Sequence, residues 1–351
     1  MGRKKKCIVF GLSLIGAALV AAAAVTAYDF YYDSKCGNYA GGFDFYVMPG
    51  QSPEALADSL VSTGKVLRPR SLVRSFRREE LPDSLSPGHY AVETSSSGVY
   101  TARMVKLGWQ TPVSMTLSTP IRSKGALARK ISSSMLVDSA AVAAALSDMS
   151  FLAGYGVDST SLFTLVIPDT YSMYWTASVK EIFDRLKSAR DEFWSTERRS
   201  KADALGMTPE QVSILASIVD GESHYAPELP VIAGVYLNRL RTGMKLQADP
   251  TIAYIYGYTL NRILRKHLAA ESPYNTYKYA GLPPGPISIP PKNCIEAVLD
   301  PAAHDYYYFC ANPAFNGSHI FASTYGEHLK NARAFQHALT ERQRARQRER
   351  S

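Results

Sequence analysis

Hydrophobic and polar positions follow three different rhythms along this chain. The first is an unbroken run. Residues 7–28 read CIVFGLSLIGAALVAAAAVTAY without a charge, directly after Gly-Arg-Lys-Lys-Lys at residues 2–6. A helix rises about 1.5 Å per residue, and about 20 apolar residues cross a bilayer core, so this run predicts a transmembrane helix. Its positive flank comes first, which predicts a cytoplasmic N-terminus and export of the bulk of the chain. Val25-Thr26-Ala27 offers the small residues that signal-peptide cleavage needs. The apolar run, however, exceeds the roughly 7–15 residues of an ordinary signal-peptide core, so an uncleaved anchor is expected.

The second rhythm has a period of two and alternates with short helices. Residues 29–42, with Gly37, Gly41 and Gly42, predict a linker. Phe43 to Val47 alternates as a strand does. Ser52 and Pro53 supply an N-cap and a first-turn proline for a helix over 54–61, which Gly64 closes. A second helix at 70–79 and a strand from Gly88 to Val92 follow. This strand–helix–helix–strand order, over 43–110, resembles a LysM-like unit, a module that binds peptidoglycan and chitin sugars. A structural arm is the plainer alternative. A strand from Val113 to Leu117, two helical patterns in 124–147 and a strand from Thr164 to Pro168 predict a second small α/β unit over 111–165.

The third rhythm is helical. Ile182, Phe183, Leu186, Ala189 and Phe193 put one amphipathic helix over 179–199. Thr208, Pro209 and Gln211 form a capping box with a first-turn proline. Val212, Leu215, Ala216 and Val219 mark the apolar face of the helix that begins there, and one more turn brings Glu222 and Ser223 onto that face at its C-terminal end. Burial and the negative end of the helix dipole both disfavour an ionised carboxylate, so the pKa of Glu222 should rise. A carboxyl kept protonated near neutral pH is a general acid; the alternative is a buried ion pair with Arg239 or Arg241. Asp220 points off the face and reads as solvated. Leu229, Ile232, Ala233, Tyr236 and Leu240 make the next helix, with Asn238 and Arg239 beside its apolar face and Gly243 at its end. Asp249 before Pro250 reads as an N-cap.

Composition narrows the classes. The chain has 351 residues, enough for two or three domains, and its 46% hydrophobic and 20% charged content excludes wholesale disorder. The net charge of +8 suits an anionic partner, and the run from Arg342 to Arg350 at every second position makes a basic tail. Tyr is abundant, at 22 residues against 13 Phe and 3 Trp, and its flat face with a hydroxyl suits sugars. Cys7, Cys36, Cys294 and Cys310 form no C-x-x-C pair, so no zinc site is indicated, and whether Cys294 pairs with Cys310 is open. H-E-x-x-H and G-x-S-x-G are absent.

Four segments in order carry a resemblance: ILASIVDGES (214–223), GVYLNRLRTGMKLQADPT (234–251), SPYNTYKYAGLPPGPISIP (272–290) and DYYYFCANPAFNGSHIFASTYGEH (305–328). Together they resemble the endolytic murein transglycosylases of the MltG/YceG type, strongly over 205–335 and weakly upstream through IPDTYSMYW (167–175). Asp220-Gly221 departs from the larger residues many relatives carry there. The resemblance implies a peptidoglycan lyase with Glu222 as its single acid/base. It would cut the β-1,4 bond between N-acetylmuramic acid and N-acetylglucosamine of nascent strands, leave 1,6-anhydro ends and limit strand length, with no metal or cofactor. It implies a groove from Ser223, Asn238, Arg239, Gln247, Tyr274, Asn275, Thr276, Tyr277, Gly281, Leu282 and Pro283. Ser318, His319 and Phe321 should lie on a β-hairpin, with His319 structural. Peptidoglycan strands and the membrane are the expected partners, peptidoglycan synthases are candidates, and export excludes nucleic acid. The expected location is the inner or plasma membrane, single-pass, with the catalytic domain outside. The rivals are a water-using muramidase, with Glu271 or Asp249 as second carboxylate, and a non-catalytic wall-binding scaffold. The expected fold class is α+β. Its parts are a basic tail (1–6), an anchor helix (7–28), a linker (29–42), LysM-like small α/β units (43–110 and 111–165), a mainly helical catalytic domain with a β-hairpin element (166–340) and a basic tail (341–351).

Overall fold

The computed structural model describes residues 2–348, with side chains from Ser13 onward. The side chains of Arg3 to Lys6 and of Cys7, and Arg350 of the basic tail, lie outside the described residues. The chain is a mix of helices and short strand pairs, in two compact units. One contains the residues up to Ser114 together with Ser172–Ala177; the other contains Met115–Tyr171 and the chain from Ser178.

The first unit begins with α1 (Gly2–Lys35), whose Ser13–Lys35 segment is long and apolar enough to cross a membrane. The first half of the expected linker at 29–42, through Lys35, is therefore helix. The reason is tertiary: Asp33 is 0% exposed, accepts from Ser71 Oγ at 2.6 Å and pairs with Arg74 at 2.8 Å and Arg78 at 3.4 Å. Asp33 is buried while both arginines stay about a third exposed, so water screens these pairs in part, but together they dock the end of α1 on α3. β1 (Phe43–Val47) and β2 (Gly88–Val92) pair antiparallel, Phe43 opposite Val92. Between them run α2 (Pro53–Ser62), capped by Ser52 as predicted, and α3 (Pro69–Arg78); α4 (Gly98–Leu107) follows. Leu56, Leu60, Leu72, Phe76 and Tyr90 fill the core between the helices and the sheet. The leucines and Phe76 each contribute about 1.5–3 kcal/mol by burial; the Tyr90 hydroxyl is buried without a partner, which offsets part of what its ring gains. Gly98 is required by close approach, because a Cβ there would stand 2.5 Å from Ser75 Oγ.

β3 (Val113–Thr116) pairs with β4 (Thr170–Met173), and the unit boundaries fall within these strands. The strand expected at Thr164 to Pro168 is instead a short 3-10 turn, Leu162–Thr164, and an irregular segment. Leu165, Val166 and Ile167 are buried on every side, so their apolar run reflected burial and not a sheet. Pro168 also lacks the N–H that a ladder needs. Residues 111–165 do not stand apart as a second small unit; from Met115 they cluster with the C-terminal part.

The second unit carries α5 (Lys124–Ser132), α6 (Ser139–Ala145), α7 (Met149–Ala153) and α8 (Val179–Phe193). The single helix expected over 179–199 breaks at Trp194, which is buried and has ψ 63°; Ser195 caps a new helix, α9 (Thr196–Ala204). α10 (Pro209–Glu222) is the centre of the unit, packed by α9, α11 (Leu229–Arg241), α12 (Asp249–Ile255) and α13 (Lys292–Leu299). Its capping box forms as predicted, with Gln211 N–H donating to Thr208 Oγ1 at 3.3 Å and Thr208 N–H donating to Gln211 Oε1 at 2.9 Å. Val212, Leu215, Ala216, Ile218 and Val219 are wholly buried, so the apolar surface is wider than one stripe. The predicted hairpin is β5 (Tyr308–Ala311) with β6 (His319–Ala322), Phe309 opposite Phe321, and α14 (Tyr325–Arg348) packs on it. Cys294 and Cys310 are both free thiols.

Candidate active site

Glu222 is the last residue of α10, and the chain turns sharply after it. Ser223 is extended (φ −149°, ψ 142°), and its Oγ accepts the N–H of Tyr225 at 3.1 Å. The Glu222 side chain keeps a partial opening to solvent, but its carboxyl is enclosed by protein. Burial raises its pKa to about 7; the nearby Asp249 charge pushes the same way, while a hydrogen bond from Tyr236 and the charge of Arg239 oppose it. Tyr236 donates its hydroxyl to Glu222 Oε1 at 2.5 Å from the facing side of α11. Burial also raises the Tyr236 pKa, so this phenol stays a donor. No ion pair joins Glu222 to an arginine among the described residues. Arg239 spends Nε on the Tyr307 carbonyl at 2.7 Å and Nη1 on the Leu246 carbonyl at 2.5 Å, while Arg241 donates to Asn238.

Two cavities share Glu222 as a wall residue. One, of about 360 Å³, is lined by Tyr236, Arg239, Gln247, Asp249, Tyr277, Tyr308, Phe309, Tyr325 and His328. The other, of about 670 Å³, is lined by Ser223, His224, Tyr225, Asn312, Phe315, Ser318, His319, Phe335 and Arg342 among others. A carboxyl at the junction of two openings, with tyrosine and amide groups around it, can meet the middle of a chain polymer. Aromatic faces and hydroxyls recognise sugars by stacking and hydrogen bonding. A third cavity, of about 390 Å³, lies in the first unit against α2 and α3 and has no part in this site.

The predicted groove residues divide. Ser223, Arg239, Gln247 and Tyr277 line the two cavities. Asn238 does not offer its amide, since Nδ2 is bonded to the carbonyls of His304 and Tyr306. Asn275 is buried and ties Leu268, Ala270 and Tyr277 together. Thr276 Oγ1 bonds Ala248 N–H and Thr251 Oγ1. These three shape the wall from behind. Tyr274 packs against Tyr254 in a tilted arrangement, with ring centroids 4.6 Å apart, and lines neither cavity. Gly281, Leu282 and Pro283 line a different depression, beside Leu205 and Leu237.

Two further readings change. Asp220 is 8% exposed, not solvated, and burial raises its pKa against the opposing charges of His224 and Arg122. Asp249 does not cap α12; it is the first helical residue, the cap position is Ala248, and its Oδ1 accepts the Tyr277 hydroxyl at 2.6 Å beside Glu222. Gly221 makes this possible. A Cβ there would come within 2.5 Å of Pro250, so only glycine lets the start of α12 press against α10. Glu271 faces elsewhere, held by Lys278 and Tyr279. His319 is structural in its bonding, with Nδ1 and the backbone N–H on the buried Glu228 carboxylate at 2.9 and 2.8 Å. Sequence reasoning placed Tyr236 in the core without its role as the partner of Glu222, and of the two carboxylates it offered as a second acid, Asp249 is the one in the same cavity. The available signal for Tyr236 was a hydroxyl on an otherwise apolar helical stripe.

Opposite shifts test this electrostatic account. Tyr236→Phe removes the donor that favours the carboxylate, so the Glu222 pKa should move above 7; Asp249→Asn removes a neighbouring negative charge, so it should move down. A 13C titration of the Glu222 carboxyl reads both, and shifts of the same sign would sink the account.

A family model described as the YceG-like family matches residues 45–334. The chain is similar to the endolytic murein transglycosylase of Bacillus subtilis (strain 168), with 43% identity over 116 residues, 33% of this chain and 32% of that protein. It is also similar to the endolytic murein transglycosylase of Streptococcus pneumoniae serotype 2 (strain D39), with 30% identity over 171 residues, 47% of this chain and 31% of that protein. The matches thus span about a third of the length of these curated relatives. Among solved structures it is similar to a yceG-like protein of Listeria monocytogenes at 2.6 Å, with TM-score 0.56 and 25% identity over 83% of this chain and 98% of that one.

Proposed function

This chain belongs to the YceG-like family, and from that premise we propose that it is a membrane-anchored endolytic murein transglycosylase with Glu222 as its acid/base. One observation carries the reading: a carboxyl with a pKa raised to about 7 stands where two cavities meet. The protonated Glu222 gives its proton to the oxygen between N-acetylmuramic acid and N-acetylglucosamine, and the C1–O bond breaks. The carboxylate then takes the proton of the muramyl C6 hydroxyl, whose oxygen bonds to C1. A 1,6-anhydro end forms, no water is consumed, and Glu222 is restored to its acid form. Tyr236 steadies the carboxylate between the two steps, and an internal nucleophile spares the second carboxylate that ordinary glycosidases use. The order β1–α2–α3–β2 supports a LysM-like, wall-binding role for the first unit. The apolar α1 supports an anchor that keeps the site near the bilayer, with the N-terminus inside.

A second reading, a water-using muramidase, draws on the place of Asp249 in the same cavity as Glu222. Mass spectrometry of the products from uncrosslinked peptidoglycan strands, cut by the full chain in detergent, separates the readings. Muramyl ends lighter by one water are expected. Ordinary reducing ends would establish the muramidase, and intact strands with the protein still bound to sacculi would establish a scaffold.

A further inference from the structure

The end of α1 is docked on the first unit in a way that sets which part of that unit lies nearest a bilayer. The uncharged stretch ends at Tyr28, and Phe30, Tyr31 and Tyr32 follow, an aromatic cluster of the kind enriched at headgroup level. Arg74 pairs with Asp29 at 3.0 Å, and the Arg78 guanidinium lies 5.3 Å from the Phe30 ring. At the other end of α3, Arg68 lies over Tyr32 and donates to the Gly37 carbonyl. So α3 descends towards the membrane end of α1 as it runs from Arg68 to Arg78. α4 runs parallel to α3: Gly98 abuts Ser71 and Ser75, while Arg103 and Lys106 both reach Glu79 beyond the end of α3. The C-terminal end of α4 therefore points the same way.

The outward residues there are unusual for a water-facing surface. Leu107 is 59% exposed and Trp109 is 49% exposed, while Tyr100 stands one side of them with its ring 6.1 Å from Trp109. Arg103 and Lys106 lie exposed among them, with long stems that cover apolar surface. Arg103 is paired with the Glu79 carboxylate, whereas Lys106 meets only the Glu79 carbonyl and keeps its charge for an anionic headgroup. An apolar and aromatic face rimmed by cations, beside a spanning helix, has the make-up of an interfacial membrane contact. α1 packs against α4 as well as α3, so the surface is continuous with the helix that enters the bilayer.

We propose that the outward face of α4 and the turn after it, Tyr100, Arg103, Lys106, Leu107 and Trp109, seats on the anionic headgroup layer of the bilayer that α1 crosses. The proposal rests on the reading of α1 as a membrane anchor. Its consequence is that the first unit lies against the membrane and does not stand off it on a flexible stalk.

The test uses the full chain in vesicles containing phosphatidylglycerol with brominated acyl chains. Flotation through sucrose reads the anchor, and tryptophan quenching reads the contact. Trp175 and Trp194 are buried in protein, so Trp109 is the indole able to reach bromine. The expected result is a quenched emission component that Trp109→Phe removes. That component should fall in purely zwitterionic brominated vesicles and in a Lys106→Glu, Leu107→Ser double variant that still floats and keeps its far-UV circular dichroism. Wild-type protein that floats but shows no Trp109-dependent quenching overturns the proposal and leaves the anchor standing. Protein that does not float removes the anchor, and the proposal with it.

Discussion

Glu222→Gln is expected to lower the rate of glycan cleavage by about 10²–10⁴-fold, the usual worth of a positioned general acid/base. The substitution keeps the size of the side chain and an oxygen for the Tyr236 hydroxyl, so the second unit should stay folded. Cleavage of labelled strands by wild type and variant, with sacculus binding as the control for folding, reads the effect. A folded variant with cleavage within a few-fold of wild type would take Glu222 out of the role. The same variant carries a stability signature. The folded chain holds the Glu222 proton up to about pH 7, whereas an unfolded chain releases it near 4.5. The contribution of this group to stability is therefore fully present below about 4.5 and is lost as pH rises through about 7. Glutamine never ionises, so Glu222→Gln should melt higher than wild type at pH 8, and the gap should close at pH 4. An equal gap at both pH values would mean that burial does not govern this carboxyl.

Arg239→Ala is expected to remove about 3–5 kcal/mol of stability, and to affect folding before it affects substrate. Arg239 is 7% exposed and bridges two backbone carbonyls, of Tyr307 and Leu246, from segments that meet only in the folded unit. Each bond to a charged group contributes about 1.5–3 kcal/mol, and truncation leaves both carbonyls without their donor. Against a typical total of about 5–15 kcal/mol this is a large fraction. Arg239→Lys should recover little, because a single ammonium lacks the fork that reaches two acceptors at once. Urea unfolding followed by circular dichroism reads the loss. An unchanged midpoint with weakened strand binding would return Arg239 to the substrate-contacting role that the resemblance implied.

Much of this protein was legible along the chain because much of it is local. The Thr208–Gln211 capping box, the Ser52 cap, the strands Phe43–Val47 and Gly88–Val92 and the long apolar α1 are set by residues a few positions apart. The same holds for Glu222 at the end of an apolar stripe, since helical spacing alone puts it there. The other outcomes were not local. Asp33 turned an expected linker into a docked helix end because Arg74 and Arg78 lie about 40 residues on. Asp220 was buried by elements that its own helix does not contain, and Trp194 broke a periodic helix because its ring is drawn into the core. The site shows the same division. A single carboxyl could be singled out from its helix, but its phenol, its second carboxylate and the two cavities come from α11, α12 and the β5–β6 hairpin. Periodicity and caps report the backbone's short-range preferences. Which polar groups converge on one carboxyl depends on how distant helices pack, and here on Gly221, whose missing side chain lets Pro250, and Asp249 with it, come close to α10.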